Sequence, residues 1–398
     1  MRHQTSTSLW LFRTKPRDDE LLSSWLVRLA SGLTFKLQTF TSRTLKQKSG
    51  FWGNDVDKRP GSDLLRRLSL GTGVSLERAE QTGLNQYEGV LWPKYKHQGP
   101  LTWVLPIRRD GRYRLGYGQQ FCPQCLAEDK IPYFRRKWRL AFLVTCEKHH
   151  CYLSDACLTC GAPVVFHTHD FGSQRWLYDA PMLRCHRCLV GLQLPPRWVL
   201  AEKPPAELLY FQAALHKALR LGYSNDLPGA SCYAHLYFEG MRQLVRLLIS
   251  EGRPARLRDR MQHDSGRLPL GVSTKRSRPV FEELRLGDRA TTLVMCARLI
   301  DDWPQKFVEL CHQSKLSSSY IVRYGIDMPY WLSSVLKLFL NDQDYAPNRD
   351  ERAAVMRYLE RRGLDTSENA VRKWLGLSHT SRSSRSRLHL WNPRGPRQ

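Results

Sequence analysis

The chain has 398 residues, and 62 lysines and arginines against 37 acidic residues give it a formal net charge of +25 at pH 7. Hydrophobic residues make up 41%, as in ordinary globular proteins, and no apolar run is long enough to cross a bilayer. We therefore exclude a membrane protein. Because the start of the chain lacks the apolar core of a signal peptide, we expect a cytoplasmic protein. A chain this basic attracts polyanions, among which nucleic acid is the first candidate.

The first predicted helix follows the acidic pair Asp18 and Asp19, either of which can cap it. Its apolar side chains recur at the spacing of one helical face, namely Leu21, Leu22, Trp25, Leu26 and Leu29. Gly32 is expected to end this helix, and residues 33–48 are expected to form a second, weaker one.

A helix-turn-helix outline comes next. We predict one helix over 63–70, a sharp break over 71–73 and a short helix over 76–81 that Ser75 caps. Two packed helices in any bundle share this outline, so a structural role and DNA recognition both stay open.

A basic and aromatic segment precedes most of the cysteines. The Asp110-Gly111 pair predicts a hairpin, and a run of interleaved basic and aromatic residues follows over 133–139. This interleaving suits contact with phosphates and bases. The alternative is an amphipathic segment whose basic side chains lie over aromatic rings. The candidate nucleic-acid contacts here are Arg135, Arg136, Lys137 and Arg139.

Eight of the 11 cysteines lie between residues 122 and 188, mostly in pairs separated by two residues. Two such pairs joined by a loop of about 12–25 residues can complete a tetrahedron around zinc. The predicted ligands are Cys122, Cys125, Cys146 and His149 at one site, and Cys157, Cys160, Cys185 and Cys188 at the other. Both sets leave no open position, so we predict two structural Zn²⁺ ions, with iron–sulfur clusters or redox dithiols as alternatives. His150 and Cys151 compete with His149 as ligands.

The remaining chain is predicted to be mostly helical, over 206–221, 234–251, 289–302, 304–314, 328–340 and 350–362. Residues 253–279, which are rich in arginine, glycine and serine, are predicted to be a mobile basic connection.

A second helix-turn-helix is predicted near the end of the chain, where Ser367 caps a helix that exposes Asn369, Arg372 and Lys373. A basic tail without acidic residues follows, predicted to be disordered and to contact nucleic acid. Its candidate contacts are Arg382, Arg385 and Arg387.

These elements predict a mainly α, multi-domain protein. The predicted divisions are a helical domain over 1–100 with a helix-turn-helix, a double zinc-finger (zinc-ribbon-like) module over 101–200, a helical domain over 201–378 and a tail over 379–398. The sequence contains no phosphate-binding loop, no His-Glu-x-x-His helix and no Gly-x-Ser-x-Gly elbow. We therefore predict no catalytic residues, although carboxylates drawn from distant positions leave a nuclease or recombinase open.

Several motifs, in this order, resemble the TniQ/TnsD family of bacterial transposition target-selection proteins. They are the segments 16–30, 72–78, 121–126, 146–149 and 157–161, with a looser Trp-Pro similarity over 302–307. Carried over by this resemblance, the metal ligands are the eight residues named above.

The resemblance implies a non-catalytic adaptor that acts in the bacterial cytoplasm and associates with the nucleoid when bound. Such an adaptor links a target, either DNA or an RNA-guided CRISPR surveillance complex, to an AAA+ ATPase regulator that recruits a separate transposase. Some members act as homodimers. The alternatives are a zinc-containing, sequence-specific transcriptional regulator and a nuclease or recombinase.

Overall fold

The computed structural model describes residues 9–48, 50–107, 119–165, 182–193, 203–227, 230–263, 280–321, 328–339, 349–368 and 370–371. These residues are mainly helical, which confirms the predicted fold class. The chain divides into two compact units, Met1–His216 with Leu270–Leu293 and Lys217–Pro269 with Val294–Gln398. No described helix has the length and apolar character that a membrane span requires. The domain boundaries proposed from the sequence stay predictions.

The helices of the first unit are α1 (Leu22–Gly32), α2 (Leu37–Thr39), α3 (Ser62–Thr72), α4 (Leu76–Glu80), α5 (Pro123–Glu128) and α6 (Ala206–Leu221). Helix α6 belongs to the first unit up to His216, and its remaining residues belong to the second. Single helical turns lie at Phe40–Thr44, Phe51–Gly53, Leu84–Tyr87, Arg136–Arg139 and Phe281–Glu283. The predicted helix over 33–48 forms only as α2 and the π-helical turn that follows it.

Helix α1 is the centre of the first unit, because every residue from Leu22 to Ala30 is buried. The predicted caps Asp18 and Asp19 were wrong, since the residue before the helix is Leu21 and makes no side-chain cap. Instead, Asp57 accepts hydrogen bonds from the amide and the hydroxyl of Ser23, at 2.7 and 2.9 Å. A carboxylate at a helix N-terminus is favoured by the helix dipole.

The predicted turn between α3 and α4 is present. Gly73 has a φ of +73°, a left-handed conformation that glycine adopts without strain, and its amide donates to the Ser69 carbonyl at 2.9 Å. Ser75 caps α4, as predicted, by accepting from the Arg78 amide at 3.2 Å. DNA recognition by this pair of helices stays a prediction.

Two segments from later in the sequence complete the first unit. In α6, Gln212 donates to the Phe142 carbonyl at 2.6 Å and accepts from the Val144 amide at 2.9 Å. In α9 (Leu286–Ile300), the fully buried Arg289 donates to the carbonyl of Ala141 at 2.7 Å and to the side chain of Gln120 at 3.1 Å. The cysteine-rich module therefore depends on side chains beyond residue 200.

Replacing Gln212 with leucine is expected to destabilise the protein by about 1–3 kcal/mol, because the buried amide of Val144 and carbonyl of Phe142 lose their partner. Chemical denaturation would measure the change. Gln86 is exposed, so Gln86→Leu serves as the control and should stay within about 0.5 kcal/mol of the parent protein. Equal stabilities of the two variants would contradict the bridging role of Gln212.

The second unit contains α7 (Ala234–Ile249), α8 (Arg253–His263), α9 from Val294, α10 (Gln305–Gln313), α11 (Ser318–Ile321), α12 (Tyr330–Phe339) and α13 (Arg349–Arg361). It also contains an antiparallel pair that the sequence analysis missed, β1 (Tyr223–Leu227) and β2 (Ala230–Tyr233). In this pair Tyr223 lies opposite Tyr233, and Ser224 lies opposite Cys232.

The mobile connection predicted from residue 253 was wrong over 253–263, which form α8. Leu257 and Met261 are one helical turn apart and both are buried, so the segment has an apolar face that holds it in place. The rest of the predicted connection, 264–279, lies outside the described residues.

The core of the second unit is built on tryptophan. Trp303 stacks on Phe307 with ring centroids 5.1 Å apart and meets Trp331 edge-on at the same distance. The Trp331 ring lies against α7 where a Cβ on Gly240 would come within 2.0 Å of it. Glycine is therefore required at this close approach.

Candidate metal centres

Three cysteine turns share one local geometry. Each begins at a cysteine, Cys146, Cys157 or Cys185, whose amide donates to the carbonyl five residues later and whose carbonyl accepts from the amide four residues later. The residue four positions after each cysteine has a positive φ, with His150 at +49°, Gly161 at +68° and Leu189 at +62°. This turn brings the first and fourth residues of each motif to the same side.

The fourth turn is made differently. Cys122 is the residue before α5, and its sulfur accepts from the Cys125 amide at 3.5 Å. Pro123 occupies the first helical position, where its missing N–H costs nothing. The helix start therefore places both sulfurs at the same end of α5.

The first cluster brings together Cys122, Cys125, Cys146 and His149, whose ligand atoms all lie within 4.8 Å of one another. His149 Nδ1 lies 3.3, 3.4 and 3.5 Å from the three sulfurs in that order. A tetrahedral zinc with ordinary bond lengths separates a sulfur from a nitrogen ligand by about 3.5 Å and two sulfurs by about 3.8 Å. The donor set and its spacing therefore fit zinc.

The structure separates the competing residues from the ligands. His149 points Nδ1 at the sulfurs, and its Nε2 lies 3.0 Å from a carboxylate oxygen of Glu128, the kind of outer contact that orients a metal-bound imidazole. His150 is the left-handed residue of its turn and is not in the cluster. Cys151 Sγ lies 3.8 Å from Cys122 Sγ but is not part of the mutual set.

The second cluster contains only cysteines. Cys157 and Cys188 have sulfurs 3.6 Å apart, as do Cys160 and Cys185. These distances exceed a disulfide bond of about 2.05 Å and match two sulfurs on one tetrahedral ion. Both clusters could hold a metal ion and are compatible with zinc.

Backbone amides prepare the second cluster for a thiolate. Burial raises the pKa of Cys157, but the amides of Cys160 and Thr159 donate to its sulfur and bring its pKa down to about 7. Since thiolates are the form that binds metal, these amides favour the ligand form of Cys157.

A comparison with models of known protein families tests the resemblance expected from the sequence. Residues 11–153 match the model of the TniQ family. The match confirms the resemblance expected from the sequence and indicates a transposition-associated role in target selection. It contains the ligands of the first cluster, whereas the second cluster lies beyond it. No curated protein matches this chain.

Within the TniQ match, Arg139 is fully buried and does not fit the predicted nucleic-acid contact. It binds Asp55 at 2.5 Å, Asp57 at 3.2 Å and the Leu105 carbonyl at 2.9 Å. Burial in a set of acidic partners explains the difference, because such a guanidinium is already neutralised and has no access to a phosphate.

The neighbouring basic residues follow the alternative interpretation of the segment. Arg135 pairs with Asp129 at 2.9 Å and lies over the rings of Tyr133 and Trp138, at 4.4 and 4.7 Å from their centroids. Arg136 lies 3.5 Å from an oxygen of Asp19 and covers the Tyr87 ring. The side chains of Arg135 and Arg136 are mostly buried.

Lys137 is the most exposed of these four cations and lies 3.2 Å from Glu147. Its contact with nucleic acid stays a prediction.

In the second predicted helix-turn-helix, Ser367 caps the turn that follows it by accepting a hydrogen bond from the Ala370 amide at 3.3 Å. The other predicted nucleic-acid contacts and the predicted hairpin at 110–111 lie outside the described residues. These contacts are Asn369, Arg372, Lys373, Arg382, Arg385 and Arg387.

Sequence reasoning missed the acidic partners of this region. Asp55 and Asp57 lie more than 80 residues from Arg139, and no local pattern links them. Glu128 follows Cys125 by three residues, a spacing that places both on one helical face and could have suggested its proximity to the first cluster.

Elemental analysis of the purified protein is expected to find about two zinc ions per chain. Cys125→Ser and Cys188→Ser should each remove about one, because three remaining ligands hold structural zinc poorly. Cys232→Ser, at a half-buried cysteine outside both clusters, should keep both ions. One ion or none in the parent protein would contradict the assignment of ligands.

Proposed function

We propose that this protein is a non-catalytic adaptor of target-site selection in DNA transposition. It links a chosen target, either DNA or an RNA-guided CRISPR surveillance complex, to an AAA+ ATPase regulator and through it to a transposase. The observation that carries the proposal is the TniQ match over residues 11–153.

The two clusters support a scaffolding role. Each contains four protein donors close enough to share one ion, and such closed sets are typical of structural zinc, while catalytic zinc keeps a position for water. Two zinc ions held in this way would join residues 122–188 into one module without needing a large apolar core. The formal charge of +25 favours a nucleic acid or a nucleoprotein as the target.

A reconstituted transposition assay tests the proposal. The protein is combined with an AAA+ ATPase regulator and a transposase from the same organism, and insertions are mapped by sequencing. We expect insertions to concentrate at one target only when this protein is present. Insertions with the same distribution in its absence would refute the proposal.

The same preparation separates the alternatives. Cleavage of DNA by the purified protein alone would favour a nuclease or recombinase. Tight sequence-specific binding without any effect on transposition would favour a transcriptional regulator. Light scattering would determine whether the adaptor is a homodimer, and adding a guide complex to the assay would test RNA-guided docking.

A further inference from the structure

Helix α8 separates its residues into two faces. Leu257 and Met261 are buried, whereas Arg253, Arg256 and Arg260 are exposed. These arginines stand at positions i, i+3 and i+7, which share one side of a helix. At 1.5 Å per residue they form a line of charge about 10 Å long.

No carboxylate neutralises this line among the residues that the structure describes. The three guanidinium groups form no ion pair there, although Asp259 is exposed on the same helix. Arg258, by contrast, is buried and lies 3.5 Å from Glu251. Like charges one turn apart repel each other by a few tenths of a kcal/mol, so the arrangement costs stability unless an anion binds.

Neutral neighbours hold two of the arginines in place. Arg260 donates to the side-chain oxygen of Gln313 at 3.3 Å, and the guanidinium of Arg253 lies over the Tyr320 ring, 5.3 Å from its centroid. These contacts restrict the side chains while leaving their charges uncompensated. Less entropy is then lost when an anion binds.

We propose that Arg253, Arg256 and Arg260 bind the phosphodiester backbone of duplex DNA. A straight row of three cations suits a stiff, regularly charged polyanion. Within the part of the chain that the structure describes, Tyr320 is the one exposed ring that these residues contact, so this part of the face lacks the series of stacking platforms that single strands use. The inference rests on this face and does not depend on the adaptor role.

Fluorescence anisotropy with a 30-base-pair DNA of mixed sequence tests the proposal, using the full chain at several salt concentrations. The variant with Arg253→Gln, Arg256→Gln and Arg260→Gln should lose on the order of tenfold in affinity. The slope of log K against log salt should fall by about 2–3, since each lost phosphate contact removes about 0.9.

Two control variants separate contact from general charge. Replacing Lys94, Lys96 and Lys217 with glutamine removes the same charge from exposed positions elsewhere and should leave the slope nearly unchanged. Replacing the three arginines with lysine keeps the charge and should retain most of the slope. If the triple glutamine variant melted abnormally, the single variants Arg253→Gln, Arg256→Gln and Arg260→Gln would test the charge requirement, each lowering the slope by about 0.9.

Three outcomes would overturn the proposal: no measurable binding by the parent chain, equal slope changes in the two glutamine variants, or a loss confined to an RNA duplex of the same length. DNA binding through this face in a protein that fails the transposition assay would refute the adaptor role alone.

Discussion

Cys125→Ser is expected to abolish the cooperative unfolding of the first unit or to lower its melting temperature by about 10 °C or more. Structural zinc contributes about 10–16 kcal/mol to the folding of small zinc domains, comparable to the whole stability of an ordinary domain. Even a partial loss of several kcal/mol would shift the melting point by this amount. Cys125 is also buried. Without the ion, the remaining ligands of the cluster stay close together with no metal bond to join them.

Circular dichroism melting with a parallel zinc determination measures this effect. Cys232→Ser is the matched control, because it removes a half-buried thiol outside both clusters and should melt within a few degrees of the parent protein. A chelator added to the parent protein should reproduce the Cys125→Ser melting curve. A normal melting curve with one zinc lost would show that the first ion is dispensable for folding.

Arg139→Met is expected to destabilise the protein by about 3–5 kcal/mol, the cost of leaving buried charges without their partner. Burial raises the pKa of Asp57 to about 6 even though Arg139 lowers it. Asp57 in turn accepts hydrogen bonds from Ser23 in the first turn of α1. Removing Arg139 is therefore expected to destabilise the start of this helix as well.

The pH dependence of this variant follows from the raised pKa. An acid whose pKa is higher in the folded state contributes stability at low pH, and that contribution is lost as pH rises toward the folded pKa. In the parent protein, the decrease in unfolding free energy caused by the ionisation of Asp57 is therefore complete slightly above pH 6. Without Arg139 the pKa of Asp57 rises further, so the variant continues to lose up to about 1.4 kcal/mol per pH unit above pH 6.

Urea denaturation at pH 6 and pH 8 is the measurement, and the gap between variant and parent should widen at pH 8. Arg67→Met is the control, since Arg67 pairs with Asp63 on the surface and such pairs contribute less than about 1 kcal/mol. If the difference in unfolding free energy between variant and parent were the same at both pH values, the ionisation of Asp57 would not be the source of the destabilisation.

The sequence was sufficient wherever the signal was local. The eight cysteine and histidine positions that the structure gathers into two sets had been selected by spacing alone, because each turn is closed by hydrogen bonds within five residues of its first cysteine. Helices α6, α7 and α10 also lie close to their predicted bounds, since their apolar residues repeat at helical spacing.

Contacts between residues far apart in the sequence could not be predicted from local patterns. Arg139 was interpreted as a nucleic-acid contact because its neighbours are basic and aromatic, whereas its role is set by Asp55 and Asp57. The cap of α1 comes from a residue 34 positions away. A basic side chain looks the same in sequence whether it faces solvent or a buried carboxylate.

Two missed elements did have local signals. Leu257 and Met261 stand one turn apart within an arginine-rich stretch, which is the spacing of an apolar helical face, and both are buried in α8. In the sequence, the dipeptide Pro228-Gly229 between β1 and β2 is a turn signal.

The first unit is discontinuous in sequence, and this affects its synthesis. Arg289 follows its partners Ala141 and Gln120 by 148 and 169 residues. At ordinary translation rates this separation is a delay of roughly 10–30 s on the ribosome. Both sets of cysteine and histidine ligands have emerged well before then, so metal loading of the nascent module is expected to precede its final closure.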